Sequence, residues 1–181
     1  GLVKIQYPGY EGYITPTMKE VDDLVAAGSD VVALDCTLRK RGDGITVNEF
    51  IAQIKEKYPD IILMADISNY EEGINAWKCG VDIVGRTGYR IIEDNCNNDP
   101  LLQNSFGYTD YTSKKDEPDY ELMERLAKDT DIPVIGEGKI HYPDQAVKAL
   151  QTGVWAIVVG GAITRPLEIA QRFQKAIEAG K

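Results

Sequence analysis

The chain has 181 residues, 43% of them hydrophobic and 27% charged, which is enough apolar content for one sizeable core and hence one domain, residues 1–181. A net charge of −9 and an isoelectric point near 4.7 argue against nucleic-acid or anionic-membrane partners, which require a basic footprint. No apolar run approaches the roughly 20 residues of a membrane span, and the start Gly1-Leu2-Val3-Lys4 lacks the shape of a secretory signal, so a cytoplasmic protein is expected.

In chain order, six apolar runs read as strands: Leu2–Ile5, Val31–Asp35, Ile61–Asp66, Ile83–Arg86, Ile132–Glu137 and Trp155–Gly160. They are continuous rather than alternating, as in strands buried on both faces. Helical stripes at the 3.6 period lie between them. These are Met18, Val21, Leu24 and Val25, then Val47, Phe50, Ile51 and Ile54, then Leu122, Met123, Leu126 and Ala127, and finally Ala146, Val147 and Leu150. Thr17 with Glu20, and Ser68 with Glu71, have the spacing of capping boxes. Gly28, Gly80 and Gly153 stand where helices should stop. Strand and helix alternate throughout, which predicts a parallel α/β sheet, either a (β/α) barrel or a doubly wound sheet. Residues 88–118 break the rhythm with no period of either kind and read as a long loop, either a lid or an insertion.

Cys36, Cys79 and Cys96 are few, odd in number and widely spaced, which suits packing thiols better than a disulfide framework or a zinc site. His141 is the single histidine, and no clustered carboxylate pattern appears, so no metal is expected.

In a parallel α/β fold chemistry collects at the carboxyl ends of strands, so the residues closing the runs are the candidates. Lys4 closes the first run, either as a surface lysine or, if desolvated, as a proton-transfer base. Asp35 and Asp66 close two more and should rise at one rim, where they can cap loops or bind hydroxyls. Glu137 emerges between Gly136 and Gly138 as a candidate acid or base, or as an ion-pair partner of Lys139 or Arg165. Gly160-Gly161, followed by Arg165-Pro166, has the form of a phosphate loop running into a helix.

The set Ile14-Thr15-Pro16-Thr17, Ala33-Leu34-Asp35, Met64-Ala65-Asp66-Ile67-Ser68, Val134 to Ile140 and Val158 to Arg165, with Lys4 ahead of it, resembles N-acetylmannosamine-6-phosphate 2-epimerases. The resemblance implies a TIM (β/α)8-barrel enzyme of sialic acid breakdown. Such an enzyme interconverts N-acetyl-D-mannosamine 6-phosphate and N-acetyl-D-glucosamine 6-phosphate by deprotonation and reprotonation at C2, with no cofactor. It assigns catalysis to Lys4 and Glu137, substrate binding to Asp66, Asp35 and Arg165, and phosphate binding to Gly138, Lys139, Gly160 and Gly161. It further implies that this chain carries about the last six βα units of the barrel, lacks the first two, and has extra residues from Gly88 to Asn104. Self-association is expected. Two other readings remain open: an incomplete barrel that binds phosphate or needs a partner segment, and a different barrel enzyme acting on a phosphorylated small molecule.

Overall fold

The computed structural model describes residues 1–86 and 117–180. Its sheet contains β1 (Val31–Asp35), β2 (Ile62–Ile67), β3 (Ile83–Arg86), β4 (Val134–Glu137) and β5 (Ala156–Val158). All are parallel and lie side by side in chain order. A doubly wound sheet reverses its strand order at a switch point, whereas a barrel adds each strand beside the last. The observed order is therefore the barrel type.

Helix α1 (Met18–Ala26) precedes β1, helices α2 (Val47–Lys57), α3 (Tyr70–Lys78), α4 (Tyr120–Asp129) and α5 (Pro143–Gln151) separate the strands, and α6 (Gly161–Thr164) and α7 (Pro166–Ala179) follow β5. Alternation along the strands sorts their side chains onto two faces. Val32, Leu34, Leu63, Ala65, Ile67, Val84 and Val134 point outward into one core with Val21, Phe50, Ile51, Ile54, Ala76, Met123 and Leu126 of the helices. The opposite face carries Asp35 level with Asp66, Asp66 level with Gly85, and Gly85 level with Ile135. Polar strand ends therefore gather on the inner face at one rim.

Local chemistry accounts for the helix boundaries. Glu20 returns to Thr17, whose backbone N–H donates to it at 3.0 Å, and Thr46 with Glu49 forms a second box that had not been expected. The expected pair Ser68 and Glu71 is displaced by one residue. Asn69 caps α3 by accepting from Glu72 N–H at 3.0 Å, and Ser68 donates to the Glu72 carboxylate from its N–H and its hydroxyl, both at 2.7 Å. An Asx cap accepts the same orphan donor as a serine one, and here it sits one place nearer the helix.

One expectation fails. Leu2–Ile5 forms no strand, so the described residues hold five strands rather than six. Gly1 starts alongside β1, with its carbonyl accepting from Ala33 N–H at 2.9 Å, but Lys4 then pairs antiparallel with Ile14 in an isolated bridge. The question of lid or insertion at 88–118 falls almost wholly outside the described residues.

Candidate active site

Lys4 and Glu137 enter the site from distant parts of the sheet. Counting from the Lys4 segment across β1, β2 and β3 to β4 gives four strand spacings, about 19 Å if the sheet were flat at roughly 4.8 Å each. Charges that far apart at a wet surface are largely screened. Yet Lys4 and Glu137 each act on the other's ionisation, so the two lie closer together than a flat sheet would leave them. Asp66 and Arg165 act on the same lysine, so three of the other expected site residues lie within electrostatic reach of Lys4.

The electrostatics follow from burial. Glu137 Oε1 is buried and has no hydrogen-bond partner among the described residues. Desolvation pushes this carboxyl up to about 7, against the pull of Lys4 and Arg86. Burial likewise lowers Lys4, while Asp66 and Glu137 raise it and Arg165 lowers it further. The acid is thus held where it ionises near neutrality, and the amine below its ordinary range. That is how two groups are poised to exchange protons at neutral pH.

Asp35 is placed differently from Asp66. Its Oδ1 accepts from Thr37 N–H at 2.9 Å and from the Thr37 hydroxyl at 2.7 Å. Gly12 lies on the same carboxylate so closely that a Cβ there would fall 1.8 Å from Oδ2, and only glycine permits that approach. The two in-register aspartates therefore divide into one that braces a loop and one that reaches Lys4.

The loops after β4 and β5 are neighbours on the rim because these strands pair. Gly138 and Lys139 both take left-handed backbone, with φ of 90° and 57°, which turns the chain sharply after Glu137. Gly160 caps α6, and its carbonyl accepts from Ile163 and Thr164 N–H. Arg165 pairs with Glu168 at 2.8 Å. His141 lies ahead of α5 and its N–H donates to Gln145. Among the described residues no group of three or more His, Cys, Asp or Glu could hold a metal ion.

Two residues near the site were not singled out from the sequence. Arg86 closes β3, is buried, faces Asp119 at 3.7 Å and acts on Glu137. The signal was present, since an arginine ending an apolar strand must either leave the sheet or be paired. Tyr13 is half-buried, and burial, with Asp66 and Asp35 nearby, raises its hydroxyl against the opposing pull of Arg39. Nothing in the spacing of Tyr13 announces this.

Residues 1–106 and 103–179 match the profile of the family described as "Putative N-acetylmannosamine-6-phosphate epimerase". A "Putative N-acetylmannosamine-6-phosphate 2-epimerase" of Caldanaerobacter subterraneus subsp. tengcongensis is 50% identical over 173 residues, covering 96% of this chain and 66% of the relative. The protein of the same description from Clostridioides difficile is 44% identical, covering 98% and 71% respectively. The solved N-acetylmannosamine-6-phosphate 2-epimerase from Clostridium perfringens aligns with a TM-score of 0.78 at 42% identity, over 97% of this chain and 69% of that one. A thiamine phosphate pyrophosphorylase from Pyrococcus furiosus, with a TM-score of 0.51 and 23% identity, shares the fold alone. The chain therefore spans 66 to 71% of the length of these epimerase relatives.

Proposed function

Because the chain belongs to the N-acetylmannosamine-6-phosphate epimerase family, we propose that its protein interconverts N-acetyl-D-mannosamine 6-phosphate and N-acetyl-D-glucosamine 6-phosphate in sialic acid breakdown. In the ring-opened sugar C2 adjoins the C1 aldehyde. When one group removes the C2 proton, the C–H electron pair moves into the C1–C2 bond and the charge to the C1 oxygen. A proton returned to C2 from the opposite side, with re-formation of the carbonyl, inverts the centre. Nothing is oxidised, and the chemistry requires no nucleotide.

The observation that carries this reading is that Lys4 and Glu137, four strand spacings apart along the sheet, each act on the other's ionisation. Inversion needs one donor on each side of C2, and groups on facing walls meet that need where neighbours on one strand would not. Each acts as base in one direction and as acid in the other. Asp66, beside Lys4, binds a hydroxyl or the N-acetyl group, while Asp35 contributes through the loop it braces. Gly138, Lys139, Gly160, Gly161 and Arg165 hold the 6-phosphate, so that remote binding energy fixes C2 between the two donors.

In this reading the chain is the part of a (β/α)8 barrel carrying about its last six units, with 88–118 as an insertion. It works in the cytoplasm without metal or cofactor, as a homo-oligomer. No helix of the described residues is long and apolar enough to cross a membrane.

The test is solvent-deuterium incorporation at C2 of N-acetylglucosamine 6-phosphate, followed by NMR. Glu137→Gln and Lys4→Met are each expected to slow it by roughly 10² to 10⁴-fold. Unchanged incorporation in Glu137→Gln ends the proposal. Ligand-raised thermal stability without any exchange in the parent chain supports the phosphate-binding alternative instead.

A further inference from the structure

The motif Ile14-Thr15-Pro16-Thr17 is given no task by the proposed reaction. Thr15 within it is fully buried, yet its φ is +46°, in the left-handed region. For a β-branched residue that backbone is an outlier. Pro16 works against it independently, because a residue before proline is steered toward extended backbone. Such strain persists only where the surroundings over-determine it.

The hydrogen bonds show what holds it. In an uninterrupted parallel ladder the Lys4 segment would run on along β1, with Val3 N–H donating to Ala33 O and Asp35 N–H donating to Val3 O. Gly1 makes the first rungs, since its amine donates to Val31 O and its carbonyl accepts from Ala33 N–H. At the next rung the threonine is spliced in. Val3 N–H donates to Thr15 Oγ1 at 3.3 Å, and that hydroxyl donates to Ala33 O at 2.7 Å. Val3 O accepts instead from Thr15 N–H at 2.7 Å, and Asp35 N–H turns to Ile14 O at 3.0 Å. The segment is therefore prised off β1 one residue before Lys4, which then pairs with Ile14.

We propose that Thr15 is the positioning residue of Lys4: its hydroxyl and left-handed backbone lever the Lys4 segment away from β1, so that the amine projects over the sheet toward the wall bearing Glu137. This rests on the epimerase reading for its purpose, although the geometry does not depend on it. With the ladder intact, Lys4 would stay along the edge of β1. With the splice, its amine stands within electrostatic reach of Asp66, Glu137 and Arg165, the charged groups that act on it from β2, from β4 and from the segment between α6 and α7.

Three variants separate the elements of the device. Thr15→Gly accepts positive φ without strain but lacks the hydroxyl, Thr15→Val keeps the shape without the hydroxyl, and Thr15→Ser keeps the hydroxyl alone. Lys4 is titrated by NMR on lysine labelled at the ε position, and C2 exchange is measured beside it. In Thr15→Gly and Thr15→Val, Lys4 is expected to move back toward the ordinary lysine range. The exchange kcat should fall roughly 10²-fold with little change in KM, as for a misplaced reacting group, and Thr15→Ser should restore both. A Thr15→Gly chain that melts cooperatively yet keeps the parent titration of Lys4 overturns the proposal. Absence of exchange in the parent chain would end the epimerase reading, and the Lys4 titrations would still decide the role of Thr15.

Discussion

The two ends of the sheet use the same apolar periodicity and reach opposite outcomes. Around β1 to β3 the stripes of α1, α2 and α3 are sunk in the core with Leu34, Leu63, Ile67 and Val84. Around β5 the apolar stripe of α7 stays open among the described residues, since no residue of α6 or α7 is buried and Leu167 and Phe173 are 72% and 67% exposed. An amphipathic helix is stabilised by the face it meets, so stripe quality alone does not decide burial. The consequence is an uneven site. Lys4 is braced on the well-packed end, the loop at Gly160 and Gly161 stands on the bare end, and Glu137 lies between them.

The comparison is broken most forcefully on the packed side. Phe50 is 1% exposed, and its ring also lies 3.9 Å from the Arg41 guanidinium, which is itself buried and hydrogen-bonded to Pro16 O. Phe50→Ala leaves both a cavity and an uncovered cation, and is expected to cost about 3 to 5 kcal/mol in urea unfolding. A loss under about 1 kcal/mol would mean that this end is no better packed than the other.

Next in size comes the carboxylate between the two ends. Because the folded state holds the Glu137 proton up to about pH 7, against 4.5 for an ordinary glutamate, the native chain binds more protons than the unfolded one in that window. Stability contributed by the protonated form is therefore present below about pH 4.5 and lost as pH rises to 7. Glu137→Gln removes the charge and should abolish that slope. At pH 8 the variant should be more stable than the parent by about 3 kcal/mol, at 1.36 kcal/mol for each unit of the displacement, and near parity at pH 4. Denaturant melts at four pH values check it, and parallel slopes for the two chains would refute the burial of this carboxylate.

The strands from Val31 onward and the stripes behind them were legible because burial on both faces leaves continuous apolar runs and a 3.6 period. The rim aspartates and Glu137 were legible as the residues that interrupt those runs. What the pattern concealed was pairing. Leu2–Ile5 reads as a strand like the others, but a hydroxyl thirteen residues beyond Leu2 displaces it from the ladder. Asp35 and Asp66 read as equals, and only the bonds from Thr37 and the approach of Gly12 separate the loop brace from the aspartate that acts on Lys4. Arg86 could be read as a residue in need of a partner, but the partner, Asp119, comes from a distant part of the chain. Local propensity reports which element a segment prefers, whereas these three outcomes depend on what the fold brings beside it.

The smallest expected effect is also the sharpest test of the contrast. Phe173 belongs to the same residue class as Phe50, but its side chain already meets water, so truncation removes almost no buried area. Phe173→Ala should shift stability by no more than about 0.5 kcal/mol, and alanine's better helix propensity offsets part even of that. The measurement belongs at two protein concentrations. A cost above about 2 kcal/mol that grows with concentration would mean that a second copy covers α7 in solution, because only a buried ring can make its removal so expensive. A cost of that size independent of concentration would place α7 against its own sheet, and the two ends would then differ in order of docking rather than in packing.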